Sequence, residues 1–263
     1  MKGGSNMKNS EIRENARKSL FGKWGKGVLI ILAYWAVMFI ISIIESLFGK
    51  VKLMTSIISI AKIIISIPLA FGVTYSFIKL KRNEEVKAFD FLNSGFSNFE
   101  RAWKISLRAM LKMILPIILM TISIAAIIII FAYFTIELYA DNITTKMSVL
   151  MSIGTIVIIA IDFWYIIRAL SYSLITYISF DNPNMTALEV VNESERLMEG
   201  NKGKFVLLSL SFIGWAILCL FTLGIGYLWL IPYMQVAIVC FYESVSERND
   251  NNIKEENEPI IEK

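Results

Sequence analysis

Gly22-Lys23-Trp24-Gly25-Lys26 opens an apolar run that doubles back through Ile67-Pro68, and Gly200-Asn201-Lys202-Gly203-Lys204 opens another that returns through Ile231-Pro232. A Gly-x-x-Gly-Lys entrance with an Ile-Pro return, present twice, reads as a duplicated membrane hairpin. Phosphate loops also combine glycine and lysine, but this spacing is not the Walker spacing and no strand precedes it. Glycine here frees the chain to turn from an interfacial helix into a spanning one, and the lysine can snorkel to the headgroups. Gly224 and Gly226 read the same way, as a hairpin turn and not a nucleotide signal.

Composition places the chain in lipid. Of its 263 residues 56% are hydrophobic and 18% charged, and mean hydropathy is +0.61, too little polarity to cover a soluble globule of this size. The net charge of +4 is small, and the cations gather at the ends of apolar segments, which argues for anionic headgroups as partner and against nucleic acid. Cys219 and Cys240 sit in apolar runs and read as small core residues. With no histidine, Ser-His-Asp and Cys-His nucleophile systems and the common metal ligands are absent. No catalytic, cofactor or metal set is expected, and the chain reads as a non-enzyme.

Six spans are expected: about 27–44, 53–78, 113–136, a stretch within the overlong 147–180, 205–223 and 227–242. The first lacks a cleavage pattern and reads as a retained helix. The fold class is therefore all-α: a polytopic membrane protein of six transmembrane helices, arranged as three hairpins with cytoplasmic amphipathic helices. Residues 10–245 form one membrane domain between disordered tails at 1–9 and 246–263, the second of them acidic.

Basic residues set the orientation. Lys23, Lys26 and five further cations precede the first span, and Lys79, Lys81, Arg82, Lys87, Arg101, Lys104, Arg108 and Lys112 follow the second, against Lys50, Lys52 and Lys146 on the other side. Both termini are expected in the cytoplasm.

An amphipathic segment is expected before each hairpin. Ser10 is placed to cap the first, with Ile12, Ala16 and Leu20 on one face. Phe89, Leu92, Phe96, Phe99, Trp103 and Leu107 mark the second. Thr186-Ala187-Leu188-Glu189 has the form of a capping box for the third, whose apolar face would be Leu188, Val191 and Met198. Its glutamates, Glu189, Glu193, Glu195 and Glu199, would be repelled by anionic lipid, so it is expected to pack on protein.

Charges inside the spans are the sharper candidates, since an ion near the bilayer centre costs ~2.5–3.5 kcal/mol even on insertion scales. Lys62, Asp162 and Arg168 qualify. Asp162 and Arg168 stand about 240° apart on a helix, with Tyr165 between them as a bridge. Asp162 is expected to meet Lys62 and neutralise it, fixing how the hairpins pack. Arg168 would lie near the inner interface, and Glu45 would reach water. Pro68, Pro116 and Pro232 each remove a backbone donor inside a span, and are expected to curve it. Gly72-x-x-x-Ser76, Ala70-x-x-x-Thr74 and Ala169-x-x-x-Ser173 permit close helix approach, within the chain or between copies.

The opening Ile12-Arg13-Glu14-Asn15-Ala16-Arg17-Lys18-Ser19-Leu20-Phe21-Gly22-Lys23-Trp24, with Ser211-Phe212-Ile213-Gly214-Trp215 and Leu223-Gly224-Ile225-Gly226-Tyr227-Leu228-Trp229-Leu230-Ile231-Pro232-Tyr233, resembles the bacterial membrane-protein family catalogued as domain of unknown function 975. The resemblance runs from about residue 10 to 245. It implies a multipass protein of the bacterial cell membrane and brings no activity or catalytic residue with it. The chain is also distantly similar to the membrane portion of certain glycerophosphodiester phosphodiesterases, without their soluble catalytic domain. Two functions fit: a non-catalytic membrane scaffold serving an envelope-associated protein partner or a second copy, or a small transporter or channel component using Lys62, Asp162 and Arg168.

Overall fold

The computed structural model describes residues 7–49, 51–140 and 145–257, with side chains over 7–49, 51–136 and 152–248. Lys50, Asp141 and the outermost tails thus lie outside the described residues, and the side chains of Glu137 and Lys146 outside the described side chains. The described chain is all-α: α1 (Asn9–Leu20), α2 (Trp24–Leu47), α3 (Lys52–Lys81), α4 (Asp90–Ser97), α5 (Phe99–Ala140), α6 (Thr145–Leu170), α7 (Ile175–Asp181), α8 (Ala187–Met198), α9 (Lys202–Leu210), α10 (Ile213–Phe221) and α11 (Tyr227–Asn257). Six helical stretches are long and apolar enough to cross a membrane: Trp24–Leu47, Lys52–Lys81, Phe99–Ile136, Ser152–Asp181, Lys202–Phe221 and Tyr227–Arg248.

The two repeated entrances share one backbone solution. Gly22 (φ +74°) ends the turn after α1 and Gly200 (φ +72°) the turn after α8, the left-handed conformation that glycine takes without a Cβ clash. Leu223 (φ +53°) and Gly224 (φ +86°) reverse the chain between α10 and α11. Gly226 is held there by its N–H to Thr222 Oγ1 at 2.9 Å.

Several boundaries differ from those expected. α1 starts at Asn9, with Lys8 as its N-cap and the Lys8 N–H bonded to Glu11 Oε2 at 3.0 Å, so Ser10 lies inside the helix and does not cap it. The segment 89–107 is not one interfacial helix. It breaks at Asn98, and its second half runs on into the third span as one 42-residue helix, about 63 Å at ~1.5 Å per residue, since nothing between Phe99 and Met113 interrupts it. The buried side also differs: Phe91, Ala102 and Ile105 go in, while Phe89, Phe96 and Leu107 stay exposed. The expected acidic tail is helical through Asn257, as a continuation of α11. On α8 the capping box at Thr186 and Glu189 is present. Val190, Val191, Leu197 and Met198 are buried, whereas Leu188 is 46% exposed.

Pro68, Pro116 and Pro232 all lie within helices. Pro68 removes the N–H that would have bonded Ile64 four residues back. The freed Ile64 carbonyl accepts instead from the indole Nε1 of Trp103 at 3.0 Å, so the proline ties α3 to α5. The break between α6 and α7 is repaired in the same manner. Ser194 of α8, fully buried, donates to the Ser171 carbonyl at 2.7 Å and accepts from the Leu174 N–H at 3.3 Å.

Around these junctions α2 packs on α3, α5 on α6 and α10 on α11, with α1 lying across α11 and α4 against α3. Gly72 and Gly95 let α3 and α4 touch backbone to backbone: a Cβ on Gly72 would stand 2.0 Å from the Phe91 carbonyl oxygen. The small-residue pattern at Gly72 therefore serves an approach within the chain. Cys219 and Cys240 are both buried free thiols.

Candidate functional site

The intramembrane charges do not meet. Lys62 Nζ lies 3.2 Å from Glu45 Oε2 and 3.2 Å from Ser42 Oγ, and Ser59 donates to Glu45 Oε1 at 2.6 Å. Glu45, expected in water, is thus the counter-ion that Asp162 was expected to be. The reason is proximity: α2 and α3 are joined by a short turn, so Lys62 finds a carboxylate on its neighbour. Asp162 accepts from Ser123 Oγ at 2.7 Å. Ser123 and Asp162 lie at matching sequence distances on either side of 141–144, where antiparallel helices α5 and α6 bring them level.

Replacing Glu45 with leucine is expected to lower the melting temperature in micelles, because Lys62 loses its carboxylate. Glu45→Leu/Lys62→Leu is expected to melt at or above the wild-type temperature, since removing both charges removes the desolvation penalty with them. A double variant less stable than Glu45→Leu would show that the pair contributes more than neutralisation.

Arg168 takes a third partner. At the end of α6 it reaches Glu195 Oε1 of α8 at 3.7 Å, and Tyr165, expected as a bridge to Asp162, packs against the core instead. Glu195 is the hub that sequence reasoning passed over. Its other contacts are an ion pair with Lys112 of α5 and the hydroxyl of Tyr172 at 2.7 Å. Burial alone would raise the Glu195 carboxyl, but the hydrogen bonds from Lys112 and Tyr172 and the nearby positive charges outweigh it and hold the group below the usual carboxylate range. A cleft of about 480 Å³ opens beside it, with Lys112, Arg168, Glu195 and Lys202 among its lining. The signal was one of sign: α8 is acidic, and the connection after the second span is basic.

A second ionic cluster lies at the same end. Arg82, just past α3, holds Asp181 through two bonds of 2.6 and 2.9 Å and reaches Glu243 of α11 at 3.3 Å, which also pairs with Lys81. Arg101 donates to Ser179 Oγ at 3.0 Å, to the Met185 carbonyl at 2.8 Å and to the Asn182 carbonyl at 2.7 Å. Lys23 reaches the Leu80 carbonyl at 3.0 Å. These contacts gather the basic ends of α3 and α5, the acidic end of α7, Glu243 of α11 and the start of α2 at one end of the bundle. Chemically this is a clamp: cations and carboxylates face one another, with guanidinium forks in the planar pairing that arginine favours. Among the described residues no three His, Cys, Asp or Glu side chains converge as a metal-ligand set.

The family profile described as "Protein of unknown function (DUF975)" matches residues 7–249, from the start of α1 to the C-terminal part of α11. The chain belongs to this family. Comparison with curated proteins and with solved structures gave no match. The family match covers both Gly-x-x-Gly-Lys entrances and the Leu223–Tyr233 segment, and with six apolar helices it describes a multipass membrane protein.

Proposed function

We propose that the chain is a non-catalytic scaffold of the bacterial cell membrane, six spans in three hairpins with both termini cytoplasmic, presenting a rigid cytoplasmic collar to an envelope-associated partner. The collar consists of α1, α4 and α8, each lying beside the start of a hairpin. The observation that carries this reading is the clamp at the basic end. Cations that the positive-inside rule assigns to the cytoplasm are bound to carboxylates and carbonyls of neighbouring elements, which ties α8 and the α7–α8 connection to the spans, while α4 is seated on α3 through Gly72 and Gly95 and α1 on α11 through its buried face. The intramembrane charges support it as well, because Lys62, Asp162 and Arg168 each take a separate nearby partner.

In liposomes, with an ion and solute flux screen, the wild type and Asp162→Asn are expected to leak no faster than protein-free vesicles. Flux through the wild type that Asp162→Asn abolishes without altering folding would establish a transporter in place of a scaffold.

A further inference from the structure

A groove of about 640 Å³ lies between α1 and the α10–α11 pair, within the size range of small-ligand sites. Its two ends differ in character. On one side α1 turns Ile12, Ala16 and Leu20 fully inward, which leaves Arg13 and Arg17, one turn apart, on the flank that lines the groove. On the other stand the indoles of Trp215 and Trp229, both half exposed, with Trp24 and Tyr233 between the two ends. The wall is fixed in place. The Tyr233 hydroxyl donates to the Arg13 carbonyl at 3.3 Å, and the Trp24 and Tyr233 rings sit 6.2 Å apart.

Lys81, Arg82, Arg101 and Lys112 are all held by protein acceptors, whereas among the described residues neither Arg13 nor Arg17 has a carboxylate partner. Glu14 shares the groove, but Lys18 engages it at 2.7 Å. That hydrogen bond and the Lys18 charge hold its carboxyl below the usual range, so Glu14 stays an ionised carboxylate paired with Lys18. Among the described residues the indole N–H groups of Trp24, Trp215 and Trp229 also lack a protein acceptor, although tryptophan in a structured site ordinarily finds one.

We infer that this groove binds an anionic phospholipid drawn from the surrounding bilayer, with its phosphate on Arg13 and Arg17 and an acyl chain along Trp215 and Trp229. Paired guanidiniums match phosphate oxygens as a planar fork. Indoles suit the headgroup boundary, with an apolar ring and one polar donor. Basic pockets at helix ends recognise anionic headgroups by the same chemistry. The site requires the bilayer but no protein partner, so it stands or falls separately from the scaffold reading.

The test uses the full chain in nanodiscs doped with phospholipid carrying brominated acyl chains, either anionic or zwitterionic, and reads tryptophan quenching. The wild type is expected to favour the anionic lipid about tenfold. Arg13→Gln/Arg17→Gln is expected to lose that preference with an unchanged melting temperature, while Lys104→Gln/Arg108→Gln, on the α5 surface, keeps it. If the double variant unfolds, Arg17→Glu, at an exposed helical position, reads the same preference and is expected to abolish it. The inference is overturned if the Arg13/Arg17 variants keep the preference, if the α5 variant loses it equally, or if inorganic phosphate or glycerol phosphate competes as well as the lipid.

Discussion

Gly72→Ala is expected to dislodge α4 from α3 and to destabilise the protein by about 3 kcal/mol or more, at or beyond the upper end of the ~1–3 kcal/mol that overpacking usually costs. The added carbon would lie 2.0 Å from the Phe91 carbonyl oxygen and 2.9 Å from the Gly95 nitrogen. Both are backbone atoms, so no side chain can swing aside. Gly95 is constrained reciprocally, since its Cβ would stand 2.6 Å from the Pro68 carbonyl oxygen. Separation of the two helices would expose Phe91, now fully buried with its ring 6.0 Å from that of Tyr34. Thermal melting and limited proteolysis in micelles provide the measurement. Gly25→Ala, where the new carbon meets nothing within 4 Å, is the control and should melt like the wild type. A Gly72→Ala protein that also does so would show that α4 does not lie on α3 as described.

Glu195→Ala is expected to cost about 2 kcal/mol, below the ~3–5 kcal/mol of a fully buried broken pair because the site is partly open to water. The loss leaves Lys112 and Arg168 without their shared counter-ion and Tyr172 without its acceptor, and α8 loosens from α5. The effect has a pH signature. The folded-state carboxyl lies below its ordinary value near ~4.3, so its contribution is fully present above that value and disappears as pH falls through the lower folded-state one. Melting curves of the wild type and Glu195→Gln, compared from pH 7 down to pH 3, should therefore show a gap that is constant near neutrality and closes in acid. A gap that persists unchanged to pH 3 would mean that Glu195 acts through shape and not charge.

The spans were legible because lipid imposes a length and an apolar composition that few other environments demand, and because Gly22, Gly200 and Gly224 mark turns that glycine alone makes easily. The charge partners were not. Sign alone pairs Lys62 with Asp162 across two hairpins, whereas the shorter connection between α2 and α3 brings Glu45 and Ser42 alongside it. Asp162 had an equally local answer in Ser123, level with it across the α5–α6 connection. Trp103 read as an interfacial ring, yet its role follows from Pro68, whose missing N–H leaves the Ile64 carbonyl in need of a donor. Glu195 was visible only as part of an acidic run, because a hub among α5, α6 and α8 depends on three elements meeting, which periodicity within any one of them does not encode. Gly95 was hidden for the same reason: its constraint belongs to the backbone of α3.

On the proposed topology α1, α4, α8 and the end of α11 are expected to share one face of the membrane. Single cysteines at Glu84→Cys, Glu199→Cys and Glu247→Cys on the basic side, and at Gly49→Cys on the other, each in a Cys219→Ala/Cys240→Ala background, test it by labelling with an impermeant maleimide. In sealed vesicles of one orientation the first three should react from one face and Gly49→Cys from the opposite face. Reaction of Glu84→Cys and Glu199→Cys from opposite faces, or of Gly49→Cys from the same face as Glu84→Cys, would contradict the arrangement.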